Sequence, residues 1–579
     1  MKGRTGPTEF RSNSGDALNR GRSFVLLVFT AYFFGISLFA IGSFGIIQLP
    51  GLTVLGAALL LAPATVYAFS RRHFLRELPV LISIIIPLVV INYVYSIRTG
   101  SPVGFQDVHI HIIETQSLLT PGGFIDFGRA QKISLNFVGL YAIAWFGSAV
   151  GHVGIVALAT WLPPAFSVLV AVLVYLVARR IFSPQVAVLS MIFFAWDNNT
   201  ILFGHEFRTQ TIGTLFTLGA VLVYLGMQQT ASGKTGFSAS GMLFLFALST
   251  SSFVSDLFAL TLFTVLLAMP ILVPTERRIQ RSSQYGLFVS FFALYVLYIS
   301  ATTYGSPSAV VSSIVTLVRE AFSSSSSPSV EVGQQIYGPV VQVFAYSFWL
   351  VFGVFSILIL TWRELGTEHM ALPILGGFLA TFVVGIAFSA FSVLSAGRAY
   401  AIGSVLIAIV VATGLVALSR RAKPESRRVV VAACCLVVIL FVAVSIAKFP
   451  NYIVSDVSPI RGHETIDDVP YWRLSDRDSL AAEFLLAHGQ GGLVRFDMPV
   501  IPYMFLGLYD QGLLQAPPAY DSQGRLLPPN LTGGELILLR AYFEGSNYAF
   551  RNELPPESTY SGFSKIYTDG DYELFETSP

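Results

Sequence analysis

A chain of 579 residues in which 54% are hydrophobic and 12% charged, with a mean hydropathy of +0.68, is too apolar for a water-soluble globular protein. The net charge of +2 is the difference of two unlike parts: residues 449–579 hold 18 acidic and 8 basic side chains and are net acidic, while the remainder carries a basic surplus. Basic residues beside apolar runs hold loops in the cytoplasm, so that surplus reports topology and gives no reason to expect nucleic acid as a partner.

The N-terminal residues 1–23 are polar and basic and form a cytoplasmic tail; the apolar run that follows is too long for a signal peptide and reads as a retained first helix. A helix needs roughly 20 apolar residues to cross about 30 Å of hydrocarbon. The candidate spans, in chain order, are 24–47, 51–69, 78–97, 156–178, 184–197, 209–228, 240–252, 255–273, 285–304, 339–361, 372–394, 399–418 and 429–447, three of them short or interrupted. Alternating these 13 spans puts Arg20/Arg22, Arg71/Arg72/Arg76, Arg179/Arg180, Lys234, Arg277/Arg278/Arg281, Arg363 and the Arg420–Arg428 group on one side. The fold expected is therefore a polytopic α-helical membrane protein in the plasma membrane, N-terminus inside and C-terminus outside. Residues 24–448 form its transmembrane domain, and a small extracytoplasmic α/β domain occupies 449–579.

Two outer segments interrupt the spans. The first, 98–155, contains the apolar stretch 135–150, too short to cross comfortably and expected to lie along the interface. The second, 305–338, carries five serines from Ser323 to Ser327 and then Pro328; it has nothing to bury and is expected to be a mobile loop. Cys434 and Cys435 are adjacent in an apolar span and read as small hydrophobes, with no disulfide framework or zinc site. In the tail, 475–489 reads as a capped helix, and GLVRF (492–496), ELILLRAYF (535–543) and YELF (572–575) as strands or short helices. Asn198-Asn-Thr200 and Asn530-Leu-Thr532 are glycosylation tripeptides on the expected outer side.

Outside the tail, acidic and histidine side chains gather on the outer side. In GFQDVHIHIIETQ (104–116) a helix would align Asp107, His111 and Glu114, whereas an extended chain would align Asp107, His109 and His111. Either way a carboxylate and an imidazole converge, which suits a general base or a cation site. In WDNNTILFGHEFRTQ (196–210) stand Asp197, His205, Glu206 and Arg208; a hydrated turn with a Glu206–Arg208 ion pair is the structural alternative. Asp256 lies near the outer end of its span, where a capping role competes with a functional one. Arg398, in SAGRAY (395–400), stands at the outer mouth of another, where a guanidinium grips a lipid phosphate or snorkels to ordinary headgroups. No Walker A loop, nucleophile elbow, HExxH or paired CxxC is present, which argues against an ATP-driven pump.

This order of parts resembles the GT-C superfamily of membrane glycosyltransferases, and within it the archaeal-type protein mannosyltransferases of the glycosyltransferase 39-like group. The residues that carry the resemblance are GFQDVHIHIIETQSLLTPGGFID (104–126), GHEFRTQTIGTLF (204–216), GRAYAIGSVLIAIVVATGL (397–415) and the closing SKIYTDGDYELFE (564–576). The resemblance implies catalytic roles for Asp107 and Glu206, with Asp197 as the alternative second carboxylate, and donor-phosphate binding by Arg398. The chain departs from oligosaccharyltransferases in lacking WWDYG, which argues against transfer of a whole oligosaccharide to asparagine; it also has His109 where a second acidic residue often stands.

The function so implied is transfer of a sugar from a dolichyl or polyprenyl phosphate to a glycan, lipid or protein acceptor on the outer face. His109, His111, Glu114, Asp197, His205, Arg208 and Asp256 would bind substrate. No nucleotide cofactor is expected; a divalent cation through Asp107, His109, His111 and Glu206 is left open. A flippase or transporter of lipid-linked sugars, and a non-catalytic component of a surface-glycan assembly, are the rivals. The first would show related halves and charges at mid-depth, where this sequence has no internal repeat and places its charges at one rim.

Overall fold

The computed structural model describes residues 29–41, 50–69, 77–99, 139–197, 209–229, 234–251, 253–272, 281–299 and 396–453, a few isolated positions, and five short strands between 494 and 576. The helices are α1 (Phe29–Ile41), α2 (Pro50–Leu60), α3 (Ala62–Phe69), α4 (Glu77–Thr99), α5 (Gly139–Gly151), α6 (Ile155–Ile181), α7 (Pro184–Ala195) and α8 (Thr209–Gln229). They continue as α9 (Lys234–Ser249), α10 (Phe253–Leu272), α11 (Arg281–Ile299), α12 (Ala396–Arg421) and α13 (Arg427–Ile453). Every expected span except 339–361 and 372–394, which lie outside the described residues but for position 379, coincides with one of these helices. Among the described residues three stretches are long and apolar enough to cross a membrane by themselves: Ile155–Ile181, Gln210–Met227 and Gly403–Arg421. The chain is a membrane protein whose remaining apolar helices are shorter.

Proline and threonine explain the irregularities. Between α2 and α3 the ladder continues through Leu61 N–H to Ala57 O (3.0 Å) and Thr65 N–H to Leu61 O (2.9 Å), so the two pieces form one broken span. Pro63 supplies no N–H there, and the Thr65 hydroxyl donates to the Leu61 carbonyl at 2.9 Å, both of which loosen a helix locally. Pro87 inside α4 and the Pro163–Pro164 pair inside α6 act the same way.

Helix α7 is the axis of the bundle. Pro184 at its first turn suits a helix start, and every residue from Gln185 to Ala195 is buried. A helix apolar all round must be enclosed on every side. It packs against α3, α4, α6 and α12; Phe193 meets Phe441 of α13 edge-on at 5.2 Å, and Trp196 meets Phe39 of α1 at 6.2 Å. The outer helices turn large apolar side chains away from the bundle, among them Phe33 and Phe34 of α1, Leu243 of α9, Val289 of α11 and Leu436 of α13. On a membrane protein these are lipid-facing surfaces.

The two ends of the bundle differ. At one, the Arg179 Nε–H donates to Glu77 Oε1 at 2.9 Å and the Tyr175 hydroxyl donates to the same oxygen, joining the start of α4 to the end of α6. Arg420 Nη2 donates to Ser183 Oγ (3.2 Å) and Gln185 Oε1 (3.3 Å), joining the end of α12 to the start of α7. Arg179/Arg180 and Arg420/Arg421 thus share one end, the arrangement the basic residues predict. The opposite end receives the start of α6, the end of α7, the start of α12 and helix α5. The last buries Leu140, Tyr141 and Ala144 and exposes Phe146 (61%) and Val150, as an interfacial helix does.

The described part of the tail is a five-stranded sheet of order β2-β1-β3-β5-β4, built from β1 (Val494–Phe496), β2 (Gln515–Ala516), β3 (Leu536–Leu539), β4 (Ser564–Thr568) and β5 (Glu573–Glu576). Strand β1 runs parallel to both β2 and β3, while β5 is antiparallel to β3 and β4. The β4–β5 pair joins Ser564 to Glu576 and Thr568 to Glu573, with an irregularity between Lys565 and Tyr567. The expected helix at 475–489 lies outside the described residues, as does the loop 305–338.

Helix α1 approaches α2 through small residues: a Cβ added at Gly56 would stand 2.3 Å from Phe39 N and 2.6 Å from Phe39 Cα. Backbone cannot yield as a flexible side chain can. Gly56→Ala is expected to cost about 1–3 kcal/mol, read as a fall in Tm of the purified protein in detergent. Gly147→Ala, whose new methyl would meet only Leu158 at 3.4 Å, should leave Tm unchanged or raised. Equal Tm for the two variants would contradict the close approach.

Candidate functional site

Buried polar side chains collect at the end opposite the arginines. From Gln185 to Asp197 along α7 is about 18 Å, and from Arg420 back to Arg398 along α12 about 33 Å, at 1.5 Å per residue. Arg398 therefore stands in the first turn of α12 a full hydrocarbon thickness from the basic end, and Asp197 lies deeper, within the bundle. Asp256 occupies the first turn of α10, just after the α9–α10 turn.

Asp197 is 3% exposed. Its Oδ2 accepts from the Thr200 N–H at 3.2 Å and the Thr200 hydroxyl at 3.4 Å, the arrangement by which a carboxylate caps a helical turn. The Glu206–Arg208 ion pair of the structural alternative lies outside the described residues. A carboxylate kept at that depth is expensive, and such groups are retained where they act.

His111 is 9% exposed and its Nδ1 shares a 2.7 Å hydrogen bond with the buried hydroxyl of Tyr141 on α5. His111 and Thr115 are helical, and the Thr115 hydroxyl donates to the His111 carbonyl at 2.7 Å. The rest of 104–116, on which the choice between the helical and the extended alignment depends, lies outside the described residues. Ile112 packs with Leu140, Tyr141 and Ala144 of α5, Ile155 and Ala159 of α6 and Ile212 of α8, a small core separate from the main one. The Gly139 N–H donates to the Thr250 carbonyl at 2.7 Å and thereby ties the start of α5 to the α9–α10 turn.

Among the described residues, Tyr32 Oη on α1 and Arg427 Nε at the basic start of α13 are buried without a hydrogen-bond partner, and so are three further polar atoms: Asn92 Oδ1 on α4, Trp196 Nε1 at the end of α7 and Ser255 Oγ in the first turn of α10. Asn92 uses its Nδ2 to donate to the Leu88 carbonyl at 2.7 Å. All three belong to the half of the bundle that holds Asp197, and orphaned polar atoms are rare in native interiors. The sequence analysis missed Asn92 and Tyr141; a lone amide inside the run VVINYVY was a signal for the first.

The structure thus brings His111, Asp197, Asp256 and Arg398 to one end of the bundle. Asp107, His109, Glu114, His205, Glu206 and Arg208 lie outside the described residues. Among the described residues no three His, Cys, Asp or Glu side chains gather as a metal site would require.

No family model and no curated protein matches the sequence. Solved structures do match the fold. The oligosaccharyltransferase of Archaeoglobus fulgidus, tethered to an acceptor peptide containing an NVT sequon, superposes with a TM-score of 0.52 at 11% identity, over 88% of this chain and 74% of that one. The same archaeon's AglB, in complex with an inhibitory peptide and a dolichol-phosphate, gives 0.50 at 11% identity over 86% and 74%. ArnT from Cupriavidus metallidurans bound to undecaprenyl phosphate gives 0.49 at 12% over 85% and 97%. The chain shares the fold of the archaeal oligosaccharyltransferase over most of its length.

Proposed function

We propose that this protein transfers a sugar from a dolichyl- or polyprenyl-phosphate donor to an acceptor hydroxyl at the extracytoplasmic face of the plasma membrane. The observation that carries the reading is the gathering, at one end of a GT-C bundle, of a buried carboxylate, a buried imidazole and a helix start bearing an arginine. That end lies opposite the basic loops, so it faces away from the cytoplasm and its nucleotides, and the donor must come from the membrane. The archaeal structure that contains dolichol-phosphate shares this fold and supports a lipid phosphate as the leaving group.

In the reaction the acceptor oxygen attacks the anomeric carbon, the bond from that carbon to the phosphate oxygen breaks, and the acceptor proton passes to Asp107 as general base. Charge grows on the departing phosphate. Arg398 neutralises it, helped by the N–H groups of the first turn of α12, which point toward an anion placed at a helix start. Glu206, with His205, binds sugar or acceptor hydroxyls, and Asp197 orients them from below while capping its own turn. The inversion of configuration follows from a single displacement.

Purified protein in lipid, supplied with radiolabelled dolichyl- or polyprenyl-phosphate sugars, should transfer label to a hydroxyl acceptor. Asp107→Asn and Arg398→Ala should each lower kcat by roughly 10²-fold or more. Intact donor moved between leaflets, with no transfer, would favour the flippase instead. A second expectation separates Asp197's two roles: Asn caps as well as Asp, so Asp197→Asn should keep the wild-type Tm while reducing transfer at least tenfold. Unchanged transfer would leave Asp197 as a cap alone.

A further inference from the structure

Helices α4 and α6 are joined at two levels. At the basic end the Arg179 Nε–H donates to Glu77 Oε1. Toward the other end the Tyr93 hydroxyl donates to the Trp161 carbonyl at 3.0 Å, and the two rings stack with centroids 5.7 Å apart and 25° between their planes. That carbonyl belongs to the turn before Pro163 and Pro164, where the helix has lost two N–H donors and a phenol can reach its backbone. At 1.5 Å per residue the two rungs are about 24 Å apart along α4, from Glu77 to Tyr93, and about 27 Å apart along α6, from Arg179 to Trp161. Both lengths fall just short of a hydrocarbon core of about 30 Å.

Between the rungs neither helix carries a charge: the first beyond Glu77 on α4 is Arg98, and α6 has none before Arg179. Over the same length they turn apolar side chains outward, Leu78, Ile82 and Ile86 from α4 and Leu169 and Leu176 from α6. Trp161 stands at the limit of this apolar surface and is 43% exposed, although it stacks on Tyr93. Above it come Val153 and Val156 at the α5–α6 corner, in the interfacial layer already assigned to α5. An indole in that place has its amphipathic ring where hydrocarbon gives way to headgroups, the level at which Trp and Tyr collect. The opposite limit bears Glu77 and Arg179, ionised groups that hydrocarbon does not readily hold.

We infer that the two rungs grip the bilayer, with Tyr93 and Trp161 seated among the outer-leaflet headgroups and Glu77 and Arg179 among the inner ones, so that α4 and α6 set the membrane thickness this protein fits. The partner is the lipid itself, in a bilayer whose apolar core is about 24–27 Å thick. A thicker or thinner core costs free energy with each ångström of mismatch. Because Asn92 adjoins Tyr93, the outer rung also fixes the depth of that buried amide. The inference stands on helix geometry and does not depend on the transferase reading.

The experiment places the full chain in bilayers of phosphatidylcholine brominated either near the glycerol or at the chain ends, and takes the Trp161 fluorescence as the difference between wild type and Trp161→Phe. That component should be quenched at least twofold more strongly by bromine near the glycerol. Stronger quenching from the chain ends, or none from either lipid, as under a cover of protein, would overturn the outer rung. The wild-type Tm, followed across phosphatidylcholines of increasing chain length, should pass through a maximum where the core is about 27 Å thick. Trp161→Leu keeps an apolar side chain but loses the preference for headgroups; α6 can then sink further, and the maximum should move to longer chains. A Tm independent of chain length, or a maximum at the same length in both proteins, would overturn the role in setting thickness.

Discussion

Helix α7 has no face that can meet lipid polarity or water, and its neighbours are arranged around that constraint. With Gln185 to Ala195 buried, five other elements must supply its surroundings, and they come from both halves of the chain: α3, α4 and α6 from the first, α12 and α13 from the last. Those contacts bring the start of α12, with Arg398, to the end where α7 finishes with Asp197. Two residues about two hundred positions apart in sequence thus belong to one end of the bundle because a short apolar helix must be enclosed.

Polarity follows the same geometry. At the basic end, charged side chains join helix ends: Glu77 accepts from Arg179 and Tyr175, and Arg420 donates to Ser183 and the buried Gln185. Pairs of this kind in water contribute little to stability and mainly register helix ends. At the other end Asn92 Oδ1, Trp196 Nε1 and Ser255 Oγ are buried without protein partners, as is Arg427 Nε at the basic end. A bundle that only needed to fold would place leucine where Asn92 and Asp197 stand. Keeping an amide oxygen, an indole N–H and a carboxylate away from water is a cost that a substrate rich in hydroxyls, bound from that side, would offset.

Much of this was legible in the sequence. Hydropathy runs give helices because a peptide group in hydrocarbon has to bond within its own segment, and the arginines at 179–180 and 420–421 share an end as loop charge predicts. Within the stretch 135–150, too short to cross, α5 forms, and the closing segment SKIYTDGDYELFE contributes the antiparallel β4–β5 pair. The fold shared with a solved oligosaccharyltransferase is in line with the resemblance drawn from four short segments. What sequence could not give is partnership. Asp197 ends an apolar run and reads as loop, yet packing of α7 carries it below the surface. His111 reads as a candidate ligand, and its Nδ1 shares a hydrogen bond with Tyr141, thirty residues on, in a helix whose start is fixed by Thr250. Periodicity is a local property, whereas these hydrogen bonds depend on which helices meet.

The central claim is that the chemistry takes place at the end of the bundle marked by α5 and the start of α12. A cryo-electron-microscopy map of the full chain in nanodiscs containing dolichyl phosphate would test it most directly. The account predicts phosphate density about 3 Å from the Arg398 guanidinium, at the end that holds Asp197 and the His111–Tyr141 pair. Phosphate held instead among Arg179, Arg420 and Arg421, with the α5 end closed to the lipid, would contradict it.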